Sequence, residues 1–145
     1  MDAIDKASLY LDMFKRLNKQ WSTSRTHKHL PIPCRILVAQ INGGEYPTSY
    51  AGSVEIVFNA QYLPREKDEN GRGSWLQNEI ITYVKQVAET DEWLRLNPTE
   101  VQWIVDADCA EVEDDHPFMQ SIYGTLTETD MNCGIEGLGS HSDIG

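Results

Sequence analysis

At 145 residues the chain has about the length of one domain, enough to bury a single core. Its 40% apolar and 24% charged residues are ordinary for a globular protein. A net charge of −11, with Lys and Arg scattered, argues against nucleic acid, whose phosphates require cations to replace released counterions. No apolar run nears the roughly 20 residues of a bilayer span and no basic-then-apolar signal pattern is present, so no membrane partner and a cytoplasmic location are the expectations.

The first element is a helix over about residues 2–23. Ile4, Ala7, Leu11, Phe14, Leu17 and Trp21 recur at spacings of three and four and form one core-facing stripe. A polar loop follows, carrying His27 and His29 and closing on Pro31 and Pro33, which cannot propagate a helix. Residues 34–41 are apolar on both alternating sets, the pattern of a strand covered on both faces. After the Gly43-Gly44 turn, residues 52–63 alternate cleanly. Val54, Ile56, Phe58, Ala60 and Tyr62 share one face, while Glu55, Val57, Asn59 and Gln61 share the other.

A charged loop leads to Ser74, a candidate N-cap. The next helix carries Leu76, Ile80, Val84 and Val87, with Leu94 near its end, and stops at Asn97-Pro98. A third strand is expected from Val101, Trp103, Val105 and Ala107. Asp114 and Asp115 then suggest a carboxylate cap for a last helix, with Pro117 in its first turn and Phe118, Ile122 and Leu126 along it, before a glycine-rich tail. Helix, strand, strand, helix, strand describes an α+β two-layer sandwich. Its antiparallel sheet carries two helices on one face, a split βαβ unit without its first strand.

No complete active site is visible in the residues themselves. His27 and His29 have no acidic or cysteine partner nearby in sequence, and zinc needs three or four ligands. The acidic run from Asp106 to Asp115 has no glycine where a calcium loop must bend and reads as a solvated strand end. Ser140, His141 and Asp143 stand too close in sequence to converge readily on one reacting atom. Cys34, Cys109 and Cys133 are odd in number and widely spaced, the usage of reduced thiols rather than of a disulfide framework.

Several stretches nevertheless resemble one family in order and spacing. Residues 41–47 read Ile-Asn-Gly-Gly-Glu-Tyr-Pro, 54–59 read Val-Glu-Ile-Val-Phe-Asn, and 62–64 read Tyr-Leu-Pro. Then come Asp-Glu-Trp-Leu at 91–94, Asn-Pro at 97–98, Val-Gln-Trp at 101–103 and Asp-His-Pro at 115–117. The last match is Ile-Glu-Gly-Leu-Gly-Ser-His-Ser-Asp at 135–143. Together they resemble the zinc metallopeptidases and deacylases typified by acetylornithine deacetylase and succinyl-diaminopimelate desuccinylase.

The resemblance implies that residues 1–111 are a lid or dimerisation domain of ferredoxin-like type lacking its first strand, and that 112–145 begin the return into a catalytic domain. It implies a homodimer and a parent enzyme that hydrolyses N-acyl amino acids or small peptides with one or two zinc ions. The zinc ligands and the general base belong to stretches other than these 145 residues, so this chain is expected to bind no metal and to hold no catalytic residue. By resemblance, Gly43 and Gly44 match the lid's paired glycines, and Asn59 sits where many members have Asp or Asn. Gln61 falls where many have an Arg that holds a substrate carboxylate, a charged fork that Gln cannot supply. Asp143 matches an Asp near the family's active site. The missing central strand implies an unpaired sheet edge, to be covered by the tail around residues 132–138 or by a second chain. The alternative from another class is a free-standing dimerisation or small-ligand regulatory module.

Overall fold

Helix α1, Ala3–Ser24, begins at Asp2, whose carboxylate accepts from the Ile4 amide at 3.0 Å and satisfies one of the free N–H groups of the first turn. The computed structural model describes residues 1–129 and 134–140. The buried stripe of α1 is Ala7, Tyr10, Met13, Phe14, Leu17 and Trp21. Ile4 is instead 54% exposed and Leu11 half-buried, so the stripe lies turned toward Tyr10 and Met13 from its expected position. Packing against two neighbours at once, the hairpin and a second helix, widens the covered arc beyond one a/d seam.

Strands β1 (Ile36–Gly43) and β2 (Val54–Ala60) form an antiparallel hairpin, with Ile36 opposite Ala60 and Gly43 opposite Val54. A bulge between Val38 and Gln40 interrupts the ladder. The expected two-sided cover of β1 does not occur. Ile36 is buried, but Leu37 and Ile41 are 51% and 50% exposed, because helices pack on one face of the hairpin alone.

Helix α2 (Ser74–Glu89) buries Leu76, Ile80, Val84 and Val87, as their spacing predicts. Gly73, not Ser74, occupies its N-cap position. Leu94 belongs to a separate short helix, α3 (Glu92–Leu96), capped by Asp91, which accepts from the Trp93 and Leu94 amides at 3.0 Å each. Helix α4 (Pro117–Glu128) has Pro117 in its first turn, but its cap is the His116 ring, which accepts from the Phe118 amide, rather than a carboxylate. None of its residues is buried. The core joins the stripes of α1 and α2 to Cys34, Ile36, Leu63 and Leu94, with Phe58 tilted onto Phe14 at 5.0 Å between ring centroids.

The third strand does not form. Residues 97–113 carry no regular secondary structure, although Val101 and Trp103 still pack on the core while Gln102 and Ile104 face out. The alternation survives and the ladder does not, since a strand exists only through hydrogen bonds to a neighbour. Among the described residues the architecture is thus α+β with four helices and a two-stranded antiparallel sheet.

One contact that periodicity does not reveal ties the layers together. The Asn18 amide donates to the Ile36 carbonyl at 2.7 Å, and its carbonyl accepts from the Ile36 amide at 2.7 Å, so a helix side chain completes the start of β1. Asn18→Leu leaves a buried N–H and C=O unpaired and is expected to cost about 1–3 kcal/mol in urea unfolding. A loss under about 0.5 kcal/mol would mean that water replaces the amide at little cost.

Candidate functional site

The free edge of β2 faces a slot of about 850 Å³. Residues 52–60 form one wall and residues 97–105 the other. Ala7, Tyr10 and Phe14 of α1, with Val84 of α2 and Leu94 of α3, line its helix side. The two walls are linked by aromatic contact, Phe58 meeting Trp103 edge-on at 5.9 Å between centroids, and Tyr10 Oη lies 2.7 Å from Thr99 Oγ1. The indole N–H of Trp103 is buried without a hydrogen-bond partner. Ile104 and Val105 are 84% and 77% exposed beside the slot.

The slot's lining includes one lysine, Lys6, and it is already paired. Lys6 donates to Asp91 at 2.6 Å, which raises the pKa of the lysine, while the same hydrogen bond together with the Leu94 and Trp93 amides holds the Asp91 carboxyl below the usual carboxylate range. Asp91 therefore caps α3 and anchors α1 at once.

The structure separates the residues singled out from the sequence. Gly43 and Gly44 lie at the turn end of the hairpin. A side chain on Gly43 would meet the Val54 side chain, Cγ2 at 2.5 Å, and Gly44 has φ +87°, so Gly43 has a steric reason to be glycine and Gly44 a backbone one. Asn59 and Gln61 lie at the opposite end, about 20 Å away along a hairpin of this length at roughly 3.3 Å per residue. Asn59 is exposed and lines the slot, whereas Gln61 donates its amide to the Gly139 carbonyl at 3.1 Å. Asp143, and with it Ser140–His141–Asp143 as a set, lies outside the described residues, as does Cys133.

The described part of the tail does not line the slot. That part, 134–140, lies along the loop after α1: Gly137 donates to the His29 carbonyl at 2.9 Å, and Gly139 accepts from Gln61. Of the two covers expected for the β2 edge, residues 134–138 of the tail do not supply the first, residues 132 and 133 lying outside the described residues; glycine permits the close approach of Gly137 to Leu30 instead.

A polar corner forms where this loop meets residues 108–116. His27 Nε2 lies 2.7 Å from Glu111, His29 Nε2 lies 2.8 Å from Asp114, and Lys28 donates to Asp114 at 2.7 Å. Lys28 first, then His29, hold the Asp114 carboxyl below its ordinary value. The histidines thus have acidic partners that sequence distance conceals, more than eighty residues away. Each imidazole pairs with its own carboxylate, and among the described residues no group of three or more His, Cys, Asp or Glu side chains is placed to share a metal ion.

The acidic run is likewise engaged rather than simply solvated. Asp106 accepts from Gln77 at 2.7 Å and from the Gly73 amide at the start of α2, and Lys67 pairs with Asp108 at 3.1 Å, lowering its pKa. Cys34 is a buried thiol pushed up to about 12 by burial and by Glu66, and Cys109 is raised by burial as well, which favours the neutral thiol at both. No described helix is long and apolar enough to cross a membrane. Scans of protein-family models, curated proteins and solved structures each return no match to this chain.

Proposed function

We propose that this chain is the covering and dimerisation part of a zinc-dependent amide hydrolase of the acetylornithine deacetylase and succinyl-diaminopimelate desuccinylase type, acting on N-acyl amino acids or small peptides. The observation that carries the reading is the slot beside β2. A lid of the expected kind, deprived of one strand, has its gap between the second strand of the hairpin and the segment after the second helix. The slot lies between those two segments. The resemblance along residues 41–143 supplies the chemistry, and the hairpin, the α2 stripe and the Gly43-Gly44 turn accord with it.

The residues described here do not suit zinc, since His27 and His29 are each paired with a separate carboxylate and no larger ligand group converges. It is the resemblance that assigns metal and general base to the parent's other domain, and no step of hydrolysis is derived from this chain. Its contribution is to cover the site and to hold two copies together. Asn59 is the exposed hairpin residue offered toward substrate, and Gln61 is anchored to the tail.

The test is to sequence the gene on both sides of the region encoding residues 1–145. Upstream DNA is expected to encode an H-x-D stretch and an acidic pair, and downstream DNA a His-bearing segment. The polypeptide extended by both should release acyl groups from N-acyl amino acids in a zinc-dependent manner that a chelator abolishes, while the 145-residue chain adds no rate. Flanking DNA without these motifs would overturn the reading in favour of a free-standing module.

A further inference from the structure

We propose that Asn70 is a self-modification site: its side-chain amide condenses with the Gly71 backbone nitrogen, and hydrolysis leaves an aspartyl or isoaspartyl residue in its place. The chain's other Asn-Gly pair, Asn42-Gly43, is held unreactive by the hairpin. The proposal stands on the chain's own residues and does not rest on the parent enzyme.

The reaction needs only water. The Gly71 nitrogen loses its proton to hydroxide and attacks Asn70 Cγ. The N–Cγ bond forms, the Cγ–Nδ2 bond breaks, and the amide nitrogen takes a proton from water and leaves as ammonia. A five-membered succinimide remains. Water opening it at Cγ gives aspartate. Water opening it at the backbone carbonyl gives isoaspartate, whose main chain runs through Cγ and is one methylene longer. Glycine is the favourable second residue because no Cβ obstructs the approach of its nitrogen.

Backbone conformation separates the two pairs. Ring closure needs the asparagine ψ turned well away from the extended value of about +135°. Asn42 stands in β1 opposite Glu55, with Gly43 opposite Val54, and its Nδ2 donates to Glu55 at 3.3 Å. Turning ψ there breaks the end of the ladder. Asn70 lies in an exposed turn outside helix and strand. Its backbone amide donates to Asp68 Oδ1 at 2.8 Å, and its side chain makes no hydrogen bond among the described residues. The restraint on the nucleophile is the bond from the Gly71 N–H to the Asp68 carbonyl, at 3.0 Å. A single bond in an exposed turn opens at far lower free energy than a ladder. Charge does not discriminate, since Asp68 and Glu69 disfavour the nitrogen anion as Glu55 does at the hairpin, and Arg72 favours it.

The place of the turn gives the change a consequence. The Asp68 carboxylate also accepts from the Arg72 amide at 3.0 Å, and the Ser74 hydroxyl, then that amide, hold its carboxyl below the usual range. The turn thereby delivers Arg72 to the Asp106 carbonyl and the Gly73 amide to the Asp106 carboxylate, contacts that tie the segment after α3 to the start of α2. A new carboxylate beside Asp68, or an extra methylene before Gly71, disturbs that tie.

The full 145-residue chain is aged in mildly alkaline buffer, folded and in urea, and then cut with trypsin, which places Asn42 and Asn70 on separate peptides, 36–65 and 68–72. Mass spectrometry follows the change from amide to acid. Methyl transfer from S-adenosylmethionine by an isoaspartyl-specific methyltransferase follows the longer link. In the folded chain Asn70 should convert at least about tenfold faster than Asn42, a gap that urea should narrow to within about threefold. Asn70→Ser, which removes no side-chain hydrogen bond of the described structure, should abolish most of the methyl acceptance of the folded chain. Equal rates at the two asparagines in the folded chain, conversion of Asn70 in urea alone, or a gap that urea leaves undiminished would each overturn the proposal. Methyl acceptance unchanged in Asn70→Ser would overturn it too, by placing the reaction elsewhere.

Discussion

Trp21→Ala is expected to lose about 3–5 kcal/mol of unfolding free energy, the largest effect of any single truncation considered for this chain. Trp21 is 1% exposed and lies at the end of α1, where α1, the hairpin's first residue and α2 share one core. Three interactions disappear together. The ring's apolar area leaves a cavity that neighbouring Leu17 and Leu76 cannot fill. The indole N–H no longer donates to Glu79, at 3.2 Å, and the face under the Arg25 guanidinium, 4.1 Å from the ring centroid, is gone. Urea unfolding at pH 7 measures the sum. Trp21→Phe separates its parts: it keeps most of the packing and a weaker cation–π face, and should cost about half as much. If the alanine variant lost less than about 1.5 kcal/mol, the end of α1 would be frayed rather than part of the core.

Arg25→Met is expected to destabilise by about 2–4 kcal/mol, below the usual cost of breaking a fully buried pair because the carboxylates retain some water. Arg25 follows α1 and is 14% exposed. Its Nε pairs with Glu66 at 3.0 Å, and its Nη2 pairs with Glu79 of α2. One guanidinium thus fastens three elements: α1, the short 3-10 turn Pro64–Glu66 after β2, and α2. Methionine keeps the length of the stem against Trp21 but leaves two half-buried carboxylates beside each other, and Cys34 close to an uncompensated Glu66. Adding Glu66→Gln and Glu79→Gln to Arg25→Met removes that repulsion and should recover at least half of the loss. A triple variant no more stable than Arg25→Met would assign the effect to lost packing of the guanidinium on Trp21 rather than to charge.

These two residues show what periodicity reveals and what it misses. Trp21 was legible as a core position from spacing alone. Arg25 was not, because its partners stand 41 and 54 positions away, distances that the fold alone converts into contact. The candidate site divides the same way. Gly43 and Gly44 were legible as a turn, and the structure supplies the reasons in a positive φ and a close approach to Val54. The slot was legible only as an unpaired edge. Its width, its helical floor and the unpaired indole of Trp103 depend on where residues 97–105 come to rest. The acidic partners of His27 and His29 were hidden for the same reason, lying beyond two strands and two helices in the chain.

What the sequence determined by itself is local. The α1 helix, the α2 stripe, the alternation of β2, the Gly43-Gly44 turn and Pro117 at a helix start follow from short-range sterics and hydrophobic spacing, whereas the arc that α1 buries was set by its two packing neighbours. Only the tertiary structure decided whether residues 101–107 become a strand, which face of β1 is covered and where the tail lies. A strand needs a partner for its backbone, and the partner's place beside β2 is an open slot. Cover of a face needs a second layer, and both core helices pack on the same one. Residues 137 and 139 of the tail settle at His29 and Gln61 because hydrogen-bond partners and room for glycine coincide there.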